Sequence, residues 1–205
     1  MVLDSAVILT IILQNSNSNS QLIMEYKNIL MKGDANTVRY LLKKEGKRIL
    51  YVIGINPSTA NETKPDRTLG RVMGFAEENG FDGFAMVNLY PQRSTRPYNL
   101  HQELCVEMHK NNLSVIKELF CEVHSPTILL AFGNNIGLRS YLKDCFRDIV
   151  SILQPHSPQW KQIGNLTGLG NPRHPLYARK DSFRDFDIQQ YLKRYIIKKE
   201  NRGSV

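Results

Sequence analysis

The sequence has few cysteines, and their spacing forms no recognisable metal site. Cys105, Cys121 and Cys145 are far apart, odd in number and embedded in helix-like segments, with no CxxC motif. A structural zinc site or an iron–sulfur cluster needs about four suitably spaced ligands, and the five histidines do not cluster with the cysteines. This cysteine usage predicts a reduced, cytoplasmic protein that holds no metal.

The common motifs for binding phosphates and for activating a serine are also missing. The chain has neither a GxxxxGKS/T loop nor a GxGxxG motif after a strand, and Gly168–Gly170 lacks the third glycine and a following helix. A GxSxG elbow is absent as well, which leaves a serine hydrolase without its usual sequence support. An enzyme that depends on a nucleotide cofactor is therefore disfavoured, and we predict no cofactor.

The apolar stretch near the N-terminus, Ala6–Leu13, is too short to span a bilayer. It also differs from a signal peptide, because no Lys or Arg precedes it and no small-residue cleavage site follows it. The next segment, Gln14–Ser20, is a low-complexity polar linker. We predict that residues 1–20 form an N-terminal extension, partly disordered or lying as a strand on a neighbour. Residues 21–205 are predicted to form a single α/β domain with no membrane partner.

The charge balance is basic: 27 Lys and Arg residues against 19 Asp and Glu residues give +8 and a pI near 9.4. An excess of this sign favours partners that carry phosphates. Half of it, however, lies in the tail from Arg179 to Val205, where charge more often serves solubility. We predict nucleic acid or a nucleotide as the partner, and the sequence leaves the oligomeric state open.

Strand-like and helix-like segments alternate along the chain. Thr37–Leu42 and Arg48–Ile55, joined by a turn, predict a hairpin that leads into the sheet. Further buried-strand patterns cover Phe84–Tyr90, Thr127–Phe132 and Trp160–Leu166, and helical spacings cover Thr68–Asn79, His101–Val123 (with a possible break near Asn111), Gly137–Val150 and Ile188–Lys199. This order predicts right-handed crossovers and a parallel central sheet with helices on both faces.

The first candidate site is Gly54–Thr59, which directly follows a buried strand and would emerge at the carboxyl edge of the sheet, where α/β folds bind ligands. Pro57 pushes Asn56 toward an extended backbone and makes the turn rigid, so the Asn56 amide could position a water molecule. Asn56, Ser58 and Thr59 could instead cap the following segment. Both interpretations remain open at this stage.

Two further candidates lie near the same edge. Asn88 is a polar residue in an apolar strand, so its amide must find a partner, either a neighbouring loop or a ligand such as a nucleobase edge. Asp66 is expected to cap the helix that follows, which would let Arg67 point into the cleft. Arg67 and Arg71, one helical turn apart, could bind a phosphate together or simply lie on a solvated face.

A second rigid segment, Asn171–Pro175, lies near the end of the chain. Two prolines restrict the backbone around His174, which is a good way to fix an imidazole ring. With Arg173 and Tyr177 beside it, we expect His174 to stabilise a developing oxyanion, as a neutral or a cationic ring.

These motifs resemble those of an uncharacterised bacterial and phage family, domain of unknown function 1643. The resemblance rests on Asn56–Ala60, Val87–Leu89, Arg93–Thr95 and Pro172–Tyr177, and it covers about Tyr40 to Arg179. That family in turn resembles the uracil-DNA glycosylase superfamily, whose first motif is similar to Gly54–Pro57. The resemblance implies a three-layer α/β/α sandwich with a four-stranded parallel sheet.

The superfamily resemblance also implies roles for particular residues. Asn56 would orient the attacking water, Asn88 would recognise the base, and His174 would support the departing base. Gly54, Pro57, Ser58, Thr59, Arg67, Arg93, Arg173 and Tyr177 would bind substrate, with Arg173 near a phosphate. The second motif lacks the serine expected after the His-Pro pair, and no base-flipping wedge is evident, so duplex DNA is not implied as the substrate.

The function expected from the residues and the resemblance together is hydrolysis of an N-glycosidic bond in nucleic acid or a nucleotide. The alternatives are a non-catalytic nucleic-acid or nucleotide binder that uses the same cleft, and an interaction protein with a vestigial pocket.

Overall fold

The computed structural model describes residues 24–34, 36–179 and 181–200, and the predicted extension over residues 1–20 lies outside them. One sheet of seven strands is found there: β1 (Ile29–Gly33), β2 (Arg39–Lys44), β3 (Ile49–Gly54), β4 (Gly83–Asn88), β5 (Thr127–Leu130), β6 (Gln159–Ile163) and β7 (Phe183–Asp185). The α-helices in the same residues are α1 (Arg67–Glu78), α2 (Val106–Phe120), α3 (Tyr141–Leu153) and α4 (Ile188–Glu200).

The sheet has a parallel centre with antiparallel strands on both sides. Its strand order is β1-β2-β4-β3-β5-β6-β7, and the four strands from β4 to β6 in this order run parallel. The predicted parallel centre is therefore confirmed, but the predicted sheet, four parallel strands and an N-terminal hairpin strand, has two strands too few. The strands β1 and β7 escape prediction because they are short and contain no fully buried residue, so neither has the buried apolar run that marks the central strands.

The predicted hairpin between the second and third strands is wrong. β2 pairs with β1 and with β4, whereas β3 pairs with β4 and β5. The turn before β3 instead passes the start of β4, where the Asp82 carboxylate accepts hydrogen bonds from Lys47 N at 3.1 Å and Arg48 N at 2.7 Å. The chain therefore leaves room for β4 between two strands that are neighbours in sequence.

The side chains of β3 alternate between two apolar clusters, one on each face of the sheet. On one face Leu50 and Val52 pack with α1, and on the other Tyr51 and Ile53 pack with α2 and α3. The helical residues involved are Leu69, Val72 and Phe75 on the first face and Ile116, Phe120, Phe146 and Ile149 on the second. Helices thus cover both faces, as predicted, and α2 runs unbroken past Asn111.

Helix α1 begins at the edge of the sheet where β3 and β4 end. Asp66 caps it, because its Oδ1 accepts a hydrogen bond from Leu69 N at 2.9 Å, as the sequence predicted. Arg71 donates from Nη2 to Ala178 O at 2.6 Å and so fastens the short turn Pro175–Tyr177 to this helix. No helix in the described residues is both long and apolar enough to cross a membrane.

Candidate functional site

A cavity of about 470 Å³ opens at the carboxyl edge of the central strands, between β3, the N-terminus of α1 and the turn that follows His174. Seven of the predicted site residues line it: Gly54, Asn56, Ser58, Thr59, Arg67, His174 and Tyr177. Four others, Pro57, Asn88, Arg93 and Arg173, are not part of its lining. The two rigid motifs, more than a hundred residues apart in sequence, therefore meet at one cavity.

Backbone hydrogen bonds fix the orientation of the Asn56 amide. Its Nδ2 donates to Ser94 O at 2.8 Å and to Pro57 O at 2.9 Å, which uses both amide protons. No described residue donates to Asn56 Oδ1, and the half-buried side chain lines the cavity. Because a capping side chain accepts a hydrogen bond from a backbone N–H, this donating amide is not a helix cap. The arrangement leaves an acceptor in place for a water molecule.

The loops after β3 and β4 are joined by reciprocal contacts. Ser94 N donates to Pro57 O at 2.9 Å, in addition to the bond that Ser94 O accepts from Asn56. Arg93 Nη1 donates to Ser58 O at 2.9 Å and to Ala60 O at 3.1 Å. In the structure Arg93 therefore holds the loop that carries Asn56, and it does so from outside the cavity.

The His174 ring is held in one tautomer. Leu176 N donates to its Nδ1 at 3.2 Å, so in the neutral ring the proton lies on Nε2. Burial lowers the pKa of His174 below the ordinary value of about 6.5, and Asp66 opposes this shift only in part. No described residue pairs with Nε2. At neutral pH the ring thus presents one N–H donor to the cavity.

A polar network supports the backbone just before His174. The side chain of Asn171 is buried, its Nδ2 donates to Asn134 Oδ1 at 3.0 Å, and Tyr191 Oη donates to its Oδ1 at 2.7 Å. Gly133 adopts a left-handed φ of 61°, and an ideal Cβ there would lie 3.0 Å from His174 Cβ. The loop after β5 can approach His174 this closely because position 133 has no side chain.

Asn88 lies behind the cavity wall, with none of its side chain exposed. Neither its Oδ1 nor its Nδ2 has a hydrogen-bond partner in the described residues. It pairs in register with Gly54, and an ideal Cβ at Gly54 would lie 2.8 Å from Asn88 Oδ1. The amide is therefore separated from the cavity by little more than the backbone of Gly54, which lines it. A buried amide without partners is costly, and with none of its side chain exposed Asn88 does not contact a ligand in this conformation.

We expect Gly54→Ala to lower the free energy of unfolding by about 1–3 kcal/mol, because the added methyl would overlap the buried Asn88 amide. Gly74→Ala is the control: position 74 lies within α1, and nothing lies within 4 Å of a Cβ placed there. That change should raise stability by about 0.5–1 kcal/mol. Urea unfolding measures the free energy of unfolding of both variants. An equal change in the two variants would show that Asn88 moves aside freely.

The lip of the cavity carries an exposed aromatic ring and exposed cations. Tyr177 is 77% exposed, with its ring centroid 5.6 Å from that of His174. Lys64 and Arg67, which also line the cavity, are exposed. Arg173 instead faces two neighbouring cavities and donates from Nε to Asn165 O at 2.8 Å. A flat ligand at this lip would meet a tyrosine face and positive charge.

The sequence analysis missed Arg39, which lines the cavity and is only 1% exposed. Strict alternation in β2 would place it on the same face as Leu41, the face of α2 and α3. The pairing of β1 with β2 skips Tyr40, however, and a bulge of this kind re-aims the next side chain. The guanidinium accordingly reaches Ala60 O, 3.1 Å from Nη1, on the α1 face. Thr37–Leu42 gives no sign of a bulge, so local pattern could not find this residue.

Within the described part of the chain, no group of three or more His, Cys, Asp or Glu side chains is arranged to hold a metal ion. Asp66 is the one carboxylate in the cavity lining, against the cations of Arg39, Lys64 and Arg67. The site is therefore electropositive, and its oriented groups are amides, hydroxyls and an imidazole.

The fold and the cavity define a mixed α/β protein with a polar, electropositive site at the carboxyl edge of a parallel sheet. A family model described as "Protein of unknown function (DUF1643)" matches residues 39–176, and the chain belongs to that family. This confirms the family predicted from the motifs, and the matched range includes every cavity-lining residue except Tyr177. No curated protein and no solved structure matches the chain.

Proposed function

We propose that this protein hydrolyses the N-glycosidic bond of a nucleobase, in nucleic acid or in a nucleotide, as its resemblance to the uracil-DNA glycosylase superfamily implies. One observation carries the proposal: Asn56 and His174 are both oriented by hydrogen bonds with the backbone, and both line the same cavity. The first offers an acceptor through Oδ1 and the second a donor through Nε2. Hydrolysis of an N-glycosidic bond needs these two groups on opposite sides of the scissile bond.

In the proposed reaction the bond between the anomeric carbon and the base nitrogen breaks, and its electron pair leaves with the base. The sugar acquires oxocarbenium-like charge, and a water oxygen bonds to the anomeric carbon and loses a proton to solvent. Asn56 Oδ1 orients that water by accepting one of its hydrogens. The departing base carries the negative charge on its ring and carbonyl oxygen, where the His174 Nε2–H donates, until the base takes a proton from solvent.

Other features support a nucleobase as the bound group. A cavity of about 470 Å³ is of the size that binds small ligands. The exposed Tyr177 ring beside His174 is suited to stacking.

A second candidate function is binding without catalysis. It is favoured by the shortage of general bases: Asp66 is the single carboxylate in the lining, and its Oδ1 is used in capping α1. Asn56 cannot take a proton, because an amide is neither basic nor acidic near neutral pH. An enzyme built on this site would therefore be slow or would depend on a base that leaves readily.

The test is base release from single- and double-stranded oligonucleotides with modified and mismatched bases, and from nucleoside monophosphates, followed by chromatography. We expect release of at least one base at a rate above that of the Asn56→Ala protein purified in parallel. Binding that weakens steeply with salt, with no base released, would contradict hydrolysis and support the binding function. Absence of both release and binding would overturn both functions.

A further inference from the structure

Arg39 is a buried cation, and its remaining donors have no acceptor among the residues that the structure describes. Nη1 donates to Ala60 O at 3.1 Å, while Nε is buried without a partner. Nη2 makes no hydrogen bond with the described residues, and none of their carboxylates forms an ion pair with this guanidinium. Nε and Nη2, which form one edge of the guanidinium, therefore donate to no described residue. That edge is one of the two with which arginine binds an oxyanion through parallel hydrogen bonds.

The charge on Arg39 persists although its surroundings oppose it. Burial, and then repulsion from Arg93, lower the pKa of Arg39 to about 10, which still leaves the side chain cationic at neutral pH. Both guanidinium groups donate to the same carbonyl oxygen, that of Ala60. Asp66 attracts Arg39 only through space, because its Oδ1 is bonded to Leu69 N. A buried charge of this kind destabilises the fold unless an anion binds beside it.

We infer that Arg39 binds the phosphate of a nucleotide, so that the site takes a mononucleotide whose phosphate enters the cavity together with the base. That the ligand carries a base rests on the proposed function, whereas the oxyanion site rests on Arg39 alone. Arginine is suited to this contact because its planar fork matches the geometry of phosphate oxygens.

The position of Arg39 favours a small nucleotide over a polymer. It lines the cavity with 1% of its surface exposed, whereas Lys64 and Arg67, which also line the cavity, are exposed to solvent. The phosphates that flank a base in a polymer would follow the rim, where water screens their contacts. A phosphate that contacts Arg39 has to enter the cavity as part of the same nucleotide as the bound base.

Calorimetric titration with inorganic phosphate, nucleoside monophosphates, the matching nucleosides and a single-stranded oligonucleotide tests this inference. We expect wild-type protein to bind at least one monophosphate about 30-fold or more tightly than its nucleoside, and Arg39→Met to lose this difference. Arg48→Met is the matched control, because Arg48 is exposed, lies over the Phe81 ring and is not part of the cavity. It should bind like the wild type.

Arg39→Met should also fold, with a midpoint of urea unfolding equal to or above that of the wild type, because it removes an unpaired buried charge. Should that variant unfold early, Arg39→Lys keeps the charge but not the planar fork, and it should still lose most of the preference for the monophosphate. Equal binding of nucleosides and monophosphates by the wild type, or a preference that survives both substitutions, would overturn the Arg39 site.

The same titrations separate this inference from the proposed hydrolysis when base release is measured beside them. Monophosphate binding that depends on Arg39, without base release from any probe, would uphold the phosphate site and overturn the hydrolysis. Base release from a nucleoside monophosphate that is unchanged in Arg39→Met would uphold hydrolysis and overturn the phosphate site.

Discussion

Asn56→Ala is expected to slow base release by about 10²-fold or more, while the affinity for substrate changes little. The reason is geometric: Asn56 Oδ1 is the acceptor that the cavity holds in place for water, and alanine leaves that water unoriented. Since the base and the phosphate bind elsewhere in the cavity, the loss should appear in the rate of the chemical step. Single-turnover rates and equilibrium binding, measured on the same protein, distinguish the two quantities.

Asn56→Ala also removes the two hydrogen bonds that Nδ2 donates to Ser94 O and Pro57 O, so stability needs a control. Asn79 is suitable, because it is a half-buried asparagine at the end of α1 whose Nδ2 donates to Phe75 O at 2.8 Å. Asn79→Ala should cost about 1 kcal/mol of stability and leave base release unchanged. A release rate in Asn56→Ala within about threefold of the wild type would remove Asn56 from the chemistry.

Local and apolar patterns predicted most of the fold. The central strands are buried runs of β-branched and aromatic residues, so their positions and parallel direction follow from the chain. Because parallel strands end at the same edge, the loop Gly54–Thr59 could be placed at the site without knowledge of any long-range contact. His174 could be singled out because prolines on both sides restrict its backbone.

Contacts between distant segments could not be predicted in this way. The insertion of β4 between β2 and β3 depends on pairings that no local pattern records. Arg93 is charged and follows a strand, which makes it resemble a binding residue, yet it donates to the backbone carbonyls of Ser58 and Ala60. Arg39 is the reverse case, a site residue that looks like an ordinary strand residue in the sequence. Because the pairing of β1 with β2 skips Tyr40, the Arg39 side chain lines the cavity.

The site residues differ in how far their surroundings could be predicted: Asn88 was predicted as a site residue, whereas Arg39 was missed. Asn56 and His174 are oriented by backbone groups within a few residues of themselves, with Ser94 as the one distant partner. Asn88 and Arg39 owe their positions to burial by other segments and have unsatisfied donors or acceptors there. Local sequence thus predicts how Asn56 and His174 are oriented, but not the surroundings of Asn88 and Arg39.

His174→Ala is expected to reduce base release by about 10²–10³-fold, the usual loss when one donor to a developing oxyanion is removed. The wild-type rate should also depend on the neutral ring, because protonation of Nδ1 would break the hydrogen bond from Leu176 N. Burial lowers the pKa of His174 below about 6.5. The rate should therefore stay level as the pH falls from 8 to about 6.5, and it should decrease only at lower pH. The decrease at acidic pH is measured from the rate of base release between pH 4.5 and 8, roughly the range in which a histidine titrates.

The same shift predicts how stability changes with pH. The folded state binds fewer protons at His174 than the unfolded state once the pH falls below about 6.5, so the free energy of unfolding should decrease there in the wild type. This part of the decrease should be absent from His174→Ala. His156→Ala serves as the control: His156 is half-buried, with Nδ1 3.0 Å from Val123 O, and it lies outside the cavity.

If the decrease in base release at acidic pH persists in His174→Ala, the titration belongs to another group. That result would remove neutral His174 from the proposed mechanism.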